Sequence, residues 1–189
     1  MKSVFLGFLG GALLLSAGSA FAEGSYVGAN YLASKVEFDS DSFDSSQLFV
    51  RFGADLTENF GAEIRAGFGL SSDSVSYGTS DADAKLELKV DRFVGFYGTV
   101  SAPVTPNFKP YLILGYTDVK LSADISFNNV PGYGTGSVSE SDSDSGLSYG
   151  VGTDIKLSDK VSLNGEYMQY YDEDDVKLSG IAIGAKMAF

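Results

Sequence analysis

The sequence predicts an all-β fold: an eight-stranded antiparallel up-and-down β-barrel that crosses a membrane. Three observations carry the prediction. Apolar and small or polar residues alternate with period two over eight separate segments, the pleat of a strand with one apolar face. The links between segments alternate short and long, as they do when one rim carries tight turns and the other long loops. The last segment, Gly180 to Phe189, sets Ile181, Ile183, Ala185, Met187 and Phe189 against Ala182, Gly184, Lys186 and Ala188. A soluble barrel would hide that apolar face. Here the opposite face, small residues plus one lysine, suits a cramped interior, so the apolar face is expected outside.

The segments follow in order. The first, near Ser25 to Ala33, puts Val27, Ala29, Tyr31 and Ala33 outward and Gly28 and Asn30 inward. The second, near Gln47 to Leu56, sets Leu48, Val50, Phe52, Ala54 and Leu56 outside against Gln47, Arg51, Gly53 and Asp55. In the third, near Phe60 to Leu70, Ala62, Ile64, Ala66, Phe68 and Leu70 oppose Glu63, Arg65, Gly67 and Gly69. The fourth, Lys85 to Ala102, has Val94, Phe96, Gly98, Val100 and Ala102 out, with Tyr97 and Thr99 in. Arg92 falls on its outward set, so either it lies above the hydrocarbon layer or a bulge shifts the register. In the fifth, Tyr111 to about Leu121, Leu112, Leu114 and Tyr116 face out and Ile113 interrupts the other face. The sixth, Leu147 to Leu157, alternates cleanly, with Ser148, Gly150, Gly152, Asp154 and Lys156 inside. The seventh opposes Val161, Leu163, Gly165 and Tyr167 to Ser162, Asn164, Glu166 and Met168.

The short links are Thr57–Asn59, Pro103–Pro110 and Ser158–Lys160; the longer ones are Ser34–Ser46, Ser71–Ala84, Ser122–Gly146 and Asp172–Val176. Eight strands bring both termini to the short-turn rim, which is expected to face the periplasm. Ahead of the barrel, Lys2, the apolar run Val4–Leu15 and Ala20-Phe21-Ala22 form a secretory signal peptide over 1–22, leaving a barrel domain at 23–189. Composition agrees, with 14 Phe, 11 Tyr and 23 Gly but only 4 Pro. No later stretch reaches the ~18 apolar residues of a transmembrane helix. The absence of cysteine excludes a disulfide framework and a lipoprotein anchor. A net charge of −12 excludes a nucleic-acid partner, which requires a basic face.

Three stretches make a resemblance specific: P-V-T-P-N-F-K-P-Y-L-I-L-G-Y (103–116), G-L-S-Y-G-V-G-T-D-I (146–155) and V-S-L-N-G-E-Y (161–167). With the aromatic last segment, they resemble the OmpA-like transmembrane β-barrel family over essentially all of 23–189. Ending at the barrel, the sequence is more similar to the small OmpX, Ail and opacity-type proteins than to OmpA with its periplasmic peptidoglycan-binding domain. The resemblance implies the outer membrane of a Gram-negative cell, and contact with its lipid and lipopolysaccharide. It also implies a barrel assembly machinery that reads the terminal Phe189. A monomer is expected. Activity is not implied, because the fold hosts adhesins, scaffolds, small channels and enzymes.

Seven charged residues are expected inside: Arg51, Asp55, Glu63, Arg65, Asp154, Glu166 and Lys186. An eight-stranded barrel is just wide enough for side chains to fill, and buried charges must pair. Two readings stay open, a salt-bridge plug that holds register and a gated ion path. Glu63, Asp154 and Glu166 resemble interior carboxylates of the OmpA barrel. That family's basic partners would fall on Asn30, Thr99 and Asn164, which are neutral here, implying a network rewired through Arg51, Arg65 and Lys186.

Residues 37–44, 73–83, 124–144 and 172–175 hold 15 of the 25 acidic residues and no Lys or Arg. They read as a solvated, self-repelling surface, or as loose oxygen clusters for weak Ca²⁺ binding without a twelve-residue calcium loop. Aromatics among them (Phe38, Phe43, Tyr77, Phe127, Tyr133) are contacts for another surface, packing at the loop bases or part of the interfacial belt. The chain has no histidine, so a serine nucleophile lacks its usual base and His/Cys zinc sites are excluded. The expectation is therefore a non-enzymatic barrel without a cofactor. Its role would be structural or in adhesion to an extracellular surface ligand, with a narrow porin-like channel for small ions as the alternative.

Overall fold

The computed structural model describes residues 24–38, 41–79, 82–130, 134–173 and 176–189. The leader assigned to 1–22 lies outside them. The described residues form nine strands: β1 (Ser25–Phe38), β2 (Asp41–Asp55), β3 (Phe60–Gly69), β4 (Ser72–Thr79), β5 (Ala82–Ser101), β6 (Phe108–Val130), β7 (Gly134–Lys156), β8 (Val161–Glu173) and β9 (Val176–Ala188). They form one antiparallel sheet in the order β3-β2-β1-β9-β8-β7-β6-β5-β4, closed by pairing of β3 with β5. β3 runs along the C-terminal half of β5 and β4 along its N-terminal half, so the two are one stave broken at Leu70 and Ser71. The ring therefore has eight staves. Closure pairs every strand around the ring, which a hydrocarbon environment demands.

The outward set is a belt of exposed apolar side chains, among them Val50, Ile64, Phe96, Leu112, Leu114, Val151, Ile181 and Ile183. Aromatics mark both margins: Phe60, Phe108 and Phe189 toward the short turns, and Tyr31, Phe68 and Tyr116 toward the other rim. The short turns share one device. The hydroxyls of Thr57 and Ser158 each accept from the amides of the residues two and three positions on. Thr105 accepts from Asn107 N in the same way. This Ser/Thr turn chemistry fixes the reversal without glycine.

Beyond the belt the structure departs from the sequence reading. The links expected as long loops are continuations of the ladder. β1 and β2 stay paired to Phe38↔Asp41, and β6 and β7 stay in register from Phe108↔Ile155 to Phe127↔Gly136. Runs such as Ser139–Ser145 keep the strand period but carry no apolar residue, so alternation of hydrophobicity cannot reveal them. β7 pairs with β8 only from Tyr149 to Lys156. Above that the β6–β7 hairpin stands clear of β8. Contacts bridge the parting: Ser148 Oγ donates to the Tyr170 carbonyl (2.7 Å), and Tyr171 OH donates to Asp144.

Arg92 sits beside a bulge. Val90 pairs with Leu121 and Arg92 with Lys120, leaving Asp91 as the extra residue. The bulge moves the inward set from even positions (Val90) to odd ones (Phe93, Tyr97). Arg92 still points out, and its Nη1 pairs with Asp118 at 3.2 Å. A second bulge at Tyr170 turns both Tyr170 and Tyr171 inward. Phe43 is buried rather than displayed, and Phe127 packs over Gly136. The side chains of Phe38, Tyr77 and Tyr133 are outside those described.

Candidate functional site

Strand alternation brings four charged side chains to one level of the bore: Arg51 from β2, Glu63 and Arg65 from β3, and Glu166 from β8. Each has no more than 1% of its side chain exposed. Arg51 and Arg65 are direct cross-strand partners, an arrangement that would repel if left alone. The two carboxylates separate them. Glu166 accepts from Arg51 Nη1 at 2.6 Å and from Arg65 Nη1 at 2.8 Å and Nη2 at 3.1 Å. Glu63 accepts from Arg65 Nε at 2.7 Å and Arg51 Nη1 at 3.4 Å. The cycle is charge-neutral, and each carboxylate bridges both guanidinium forks.

Neutral groups complete it. Asn30 Oδ1 accepts from Arg51 Nε at 3.0 Å, and Asn164, with its amide oriented to satisfy both ends, accepts from Arg51 Nη2 at 3.0 Å. Tyr26 OH donates to Glu63 and Tyr111 OH to Glu166, both at 2.6 Å. These rings fit only because the facing residues are glycine. A Cβ on Gly53 would stand 2.6 Å from the Tyr26 ring, and one on Gly152 would stand 2.6 Å from the Tyr111 ring.

The remaining expected residues form two separate pairs nearer the termini. Lys186 bonds to Asp154, with its Nζ 4.5 Å from the Tyr26 ring centroid and 5.5 Å from that of Tyr111. The tyrosines thus lie between this pair and the four-residue cluster. Asp55 is not in the lumen. It keeps the inward phase but sits at the last residue of β2, exposed at the rim and 3.1 Å from Lys109 Nζ. Phase decides the side a residue faces; distance along the strand decides whether it is enclosed. Phe189 is exposed on the belt, its amide donating to Ser25 O at 3.1 Å.

Above the cluster the bore is mainly apolar, with Gln47 buried beside the rings; the sequence pattern puts Gln47, Tyr97 and Met168 inward but not the rest of this level. Leu32, Phe49, Val90, Phe93, Met168 and Tyr170 are almost completely buried. Phe49 and Phe93 meet edge-on at 5.6 Å between centroids, and Phe93 meets Tyr170 at the same separation. Arg65 lies over the Tyr97 ring at 4.6 Å and Arg51 over Phe49 at 5.3 Å, joining the polar and aromatic levels. The signal was available: Phe49 lies between Gln47 and Arg51 on the inward phase, and Leu32 continues the phase of Asn30. Apolar character alone does not tell a lipid-facing residue from a core residue.

A space of about 10 Å³ beside Glu63, Asp154 and Lys186 separates the cluster from the terminal rim, roughly one water's worth. Among the described residues no three acidic side chains converge as a metal site.

The family model for the outer membrane protein beta-barrel domain matches residues 5–189. Among solved structures, the chain is similar to Ail of Yersinia pestis in complex with the heparin analogue sucrose octasulfate, at 18% identity and TM-score 0.56, covering 88% of this chain and 99% of that one. It is similar to Neisserial surface protein A at 16% identity and TM-score 0.60, covering 88% and 98%. A de novo designed transmembrane β-barrel matches at 15% identity and TM-score 0.51, covering 88% and 97%. No curated protein sequence matches the chain. At these identities the likeness is one of fold.

Proposed function

The chain belongs to the outer membrane protein β-barrel family, and from that premise we propose that it is a closed barrel whose work is done by its projecting acidic hairpins. The observation that carries this reading is the filled bore. A neutral four-residue cluster and an aromatic level occupy the section through which ions would pass, so the surface left for interaction is the hairpin rim. The cluster serves as a plug that pins β2 and β3 to β8 across the lumen. In this reading the leader is removed after Ala22, both termini face the periplasm, Phe189 is read by the assembly machinery, and the hairpins extend outside the cell. No enzymatic step is assigned; the chain has no histidine to activate a nucleophile.

Charge narrows the partner. Ail was solved with a sulfated heparin analogue. In this chain residues 37–44, 73–83, 124–144 and 172–175 carry 15 acidic residues and no Lys or Arg, and the few lysines farther down the hairpins, such as Lys85 and Lys177, pair with Glu87 and Asp172, so a sulfated polymer meets like charge at the hairpin ends. A surface rich in basic groups is the complementary partner. The test is adhesion of cells expressing the protein, against a deletion strain, to polylysine-coated and heparin-coated surfaces. Hairpin-dependent adhesion to the basic coat that weakens with salt is expected. Preference for heparin, or adhesion unchanged when the hairpin acids are neutralised, would refute the reading.

A further inference from the structure

Above the aromatic level the bore opens toward the hairpin rim into a cavity of about 590 Å³, within the roughly 300–1,000 Å³ of small-molecule sites. Its floor is apolar: Leu88 of β5, Val119 and Leu121 of β6, Tyr171 of β8, and Val176 and Leu178 of β9. Val119, Tyr171 and Leu178 are also the top of the barrel's own core, so the floor is built on packed structure. One wall is the stretch of β7 that has parted from β8. It lines the cavity with Glu140, Asp142 and Asp144, and no Lys or Arg lines it.

These features select a ligand class. The three carboxylates lie two residues apart along one strand, about 6–7 Å per step, too far apart to converge on a bare metal ion. A neutral lipid tail would satisfy the floor and bring the carboxylates no counter-charge. An anion meets charge of the same sign. A short hydrophilic amine would reach the carboxylates and leave the floor in water. The geometry points to a binding site for a small amphipathic cation: an amine or guanidinium carried on an alkyl or aryl body, the body on Val119, Leu121 and Leu178 and the head against Glu140 and Asp142. Asp144 is engaged by Tyr171 and supplies field rather than a direct contact. The inference rests on the closed-barrel reading only for which compartment the mouth faces.

The experiment is calorimetric titration of the barrel in zwitterionic nanodiscs, with empty nanodiscs as reference. Decylamine is the probe; ethylamine, decanol and decyl sulfate are comparators. Saturable binding of decylamine, exceeding all three comparators, is expected. Glu140→Gln with Asp142→Asn should weaken it about tenfold or more. Ala123→Trp, which fills the floor, should remove it, and the new indole in a chain without tryptophan gives a fluorescence check of the site. Both variants should keep the heat-dependent gel mobility of a folded barrel. Uptake equal to that of empty discs, equal binding of decyl sulfate, or affinity unchanged in both variants would overturn the proposal. So would saturable binding of a lysine-rich peptide without binding of decylamine. Nanodiscs expose both rims, so this result is independent of orientation and of the adhesion assay.

Discussion

At the scale of single residues, the four clustered charges are held at full desolvation, so the members are coupled. Glu166→Gln would leave both Arg51 and Arg65 short of a counter-charge. Breaking a buried pair this way costs about 3–5 kcal/mol. The expected outcome is a clear drop in the urea unfolding midpoint in detergent or lipid vesicles, while Asp142→Ala in the hairpin stays within about 0.5 kcal/mol of wild type. The double substitution Arg65→Met with Glu166→Leu removes one charge of each sign and leaves Arg51 with Glu63. It should recover much of the single-variant loss, because apolar replacement of a buried pair is often neutral. A double variant as unstable as the sum of the two singles would show that the cluster is not a coupled unit. Gly53→Ala tests the fit of the Tyr26 ring: the added methyl displaces the ring from Glu63, at about 1–3 kcal/mol of overpacking.

At the scale of elements, the 23-residue strands β6 and β7 far exceed the 9–11 residues that cross a bilayer. The excess is a ladder rather than a loop, and β6 is paired on both sides through Asp83↔Asn128 and Phe127↔Gly136. Hydrogen exchange separates the two descriptions. Amides of 121–127 in β6 should exchange slowly, and those of 137–145 that face the parting from β8 should exchange faster. Uniformly fast exchange across 122–146 would restore the loop reading. The open edge of β7 carries Glu140, Asp142 and Asp144, and charge on an exposed edge discourages pairing with a second chain.

At the scale of the whole molecule, the closed ring should resist detergent. The protein should fractionate with the outer membrane and migrate differently on a gel when boiled and unboiled. In planar bilayers it should show no steady single-channel conductance, because Arg51, Glu63, Arg65 and Glu166 and the aromatic level above them fill the bore. A stable conductance that responds to neutralising Arg65 would promote the channel reading over the plug. Deleting Phe189 should lower the assembled fraction more than deleting a hairpin residue does.

The eight staves, the lipid-facing set and the inward phase of Arg51, Glu63, Arg65 and Glu166 were legible in the residue pattern alone. All of these follow from a side-chain period of two and from where the polar breaks fall. The same pattern placed the tight turns at Thr57–Asn59 and Ser158–Lys160, where the Thr57 and Ser158 hydroxyls close the reversal within three residues. The rest follows from closure of the ring. Which charges pair depends on the shear of a closed ring, which brings β8 across the lumen to β2 and β3; no local pattern encodes that. Phe49, Phe93 and Tyr170 became core because closure encloses them, and Asp55 became rim because it is the last residue of β2, at the mouth of the ring. The bulge that the misfit of Arg92 offered as one reading falls at Asp91, and another at Tyr170 gave no such signal; each resets the inward phase by one residue, and alternation alone does not say where an inserted residue falls. The Ser/Asp runs became paired strands because their neighbours supply backbone partners, an energy carried by the main chain and invisible in the side-chain pattern.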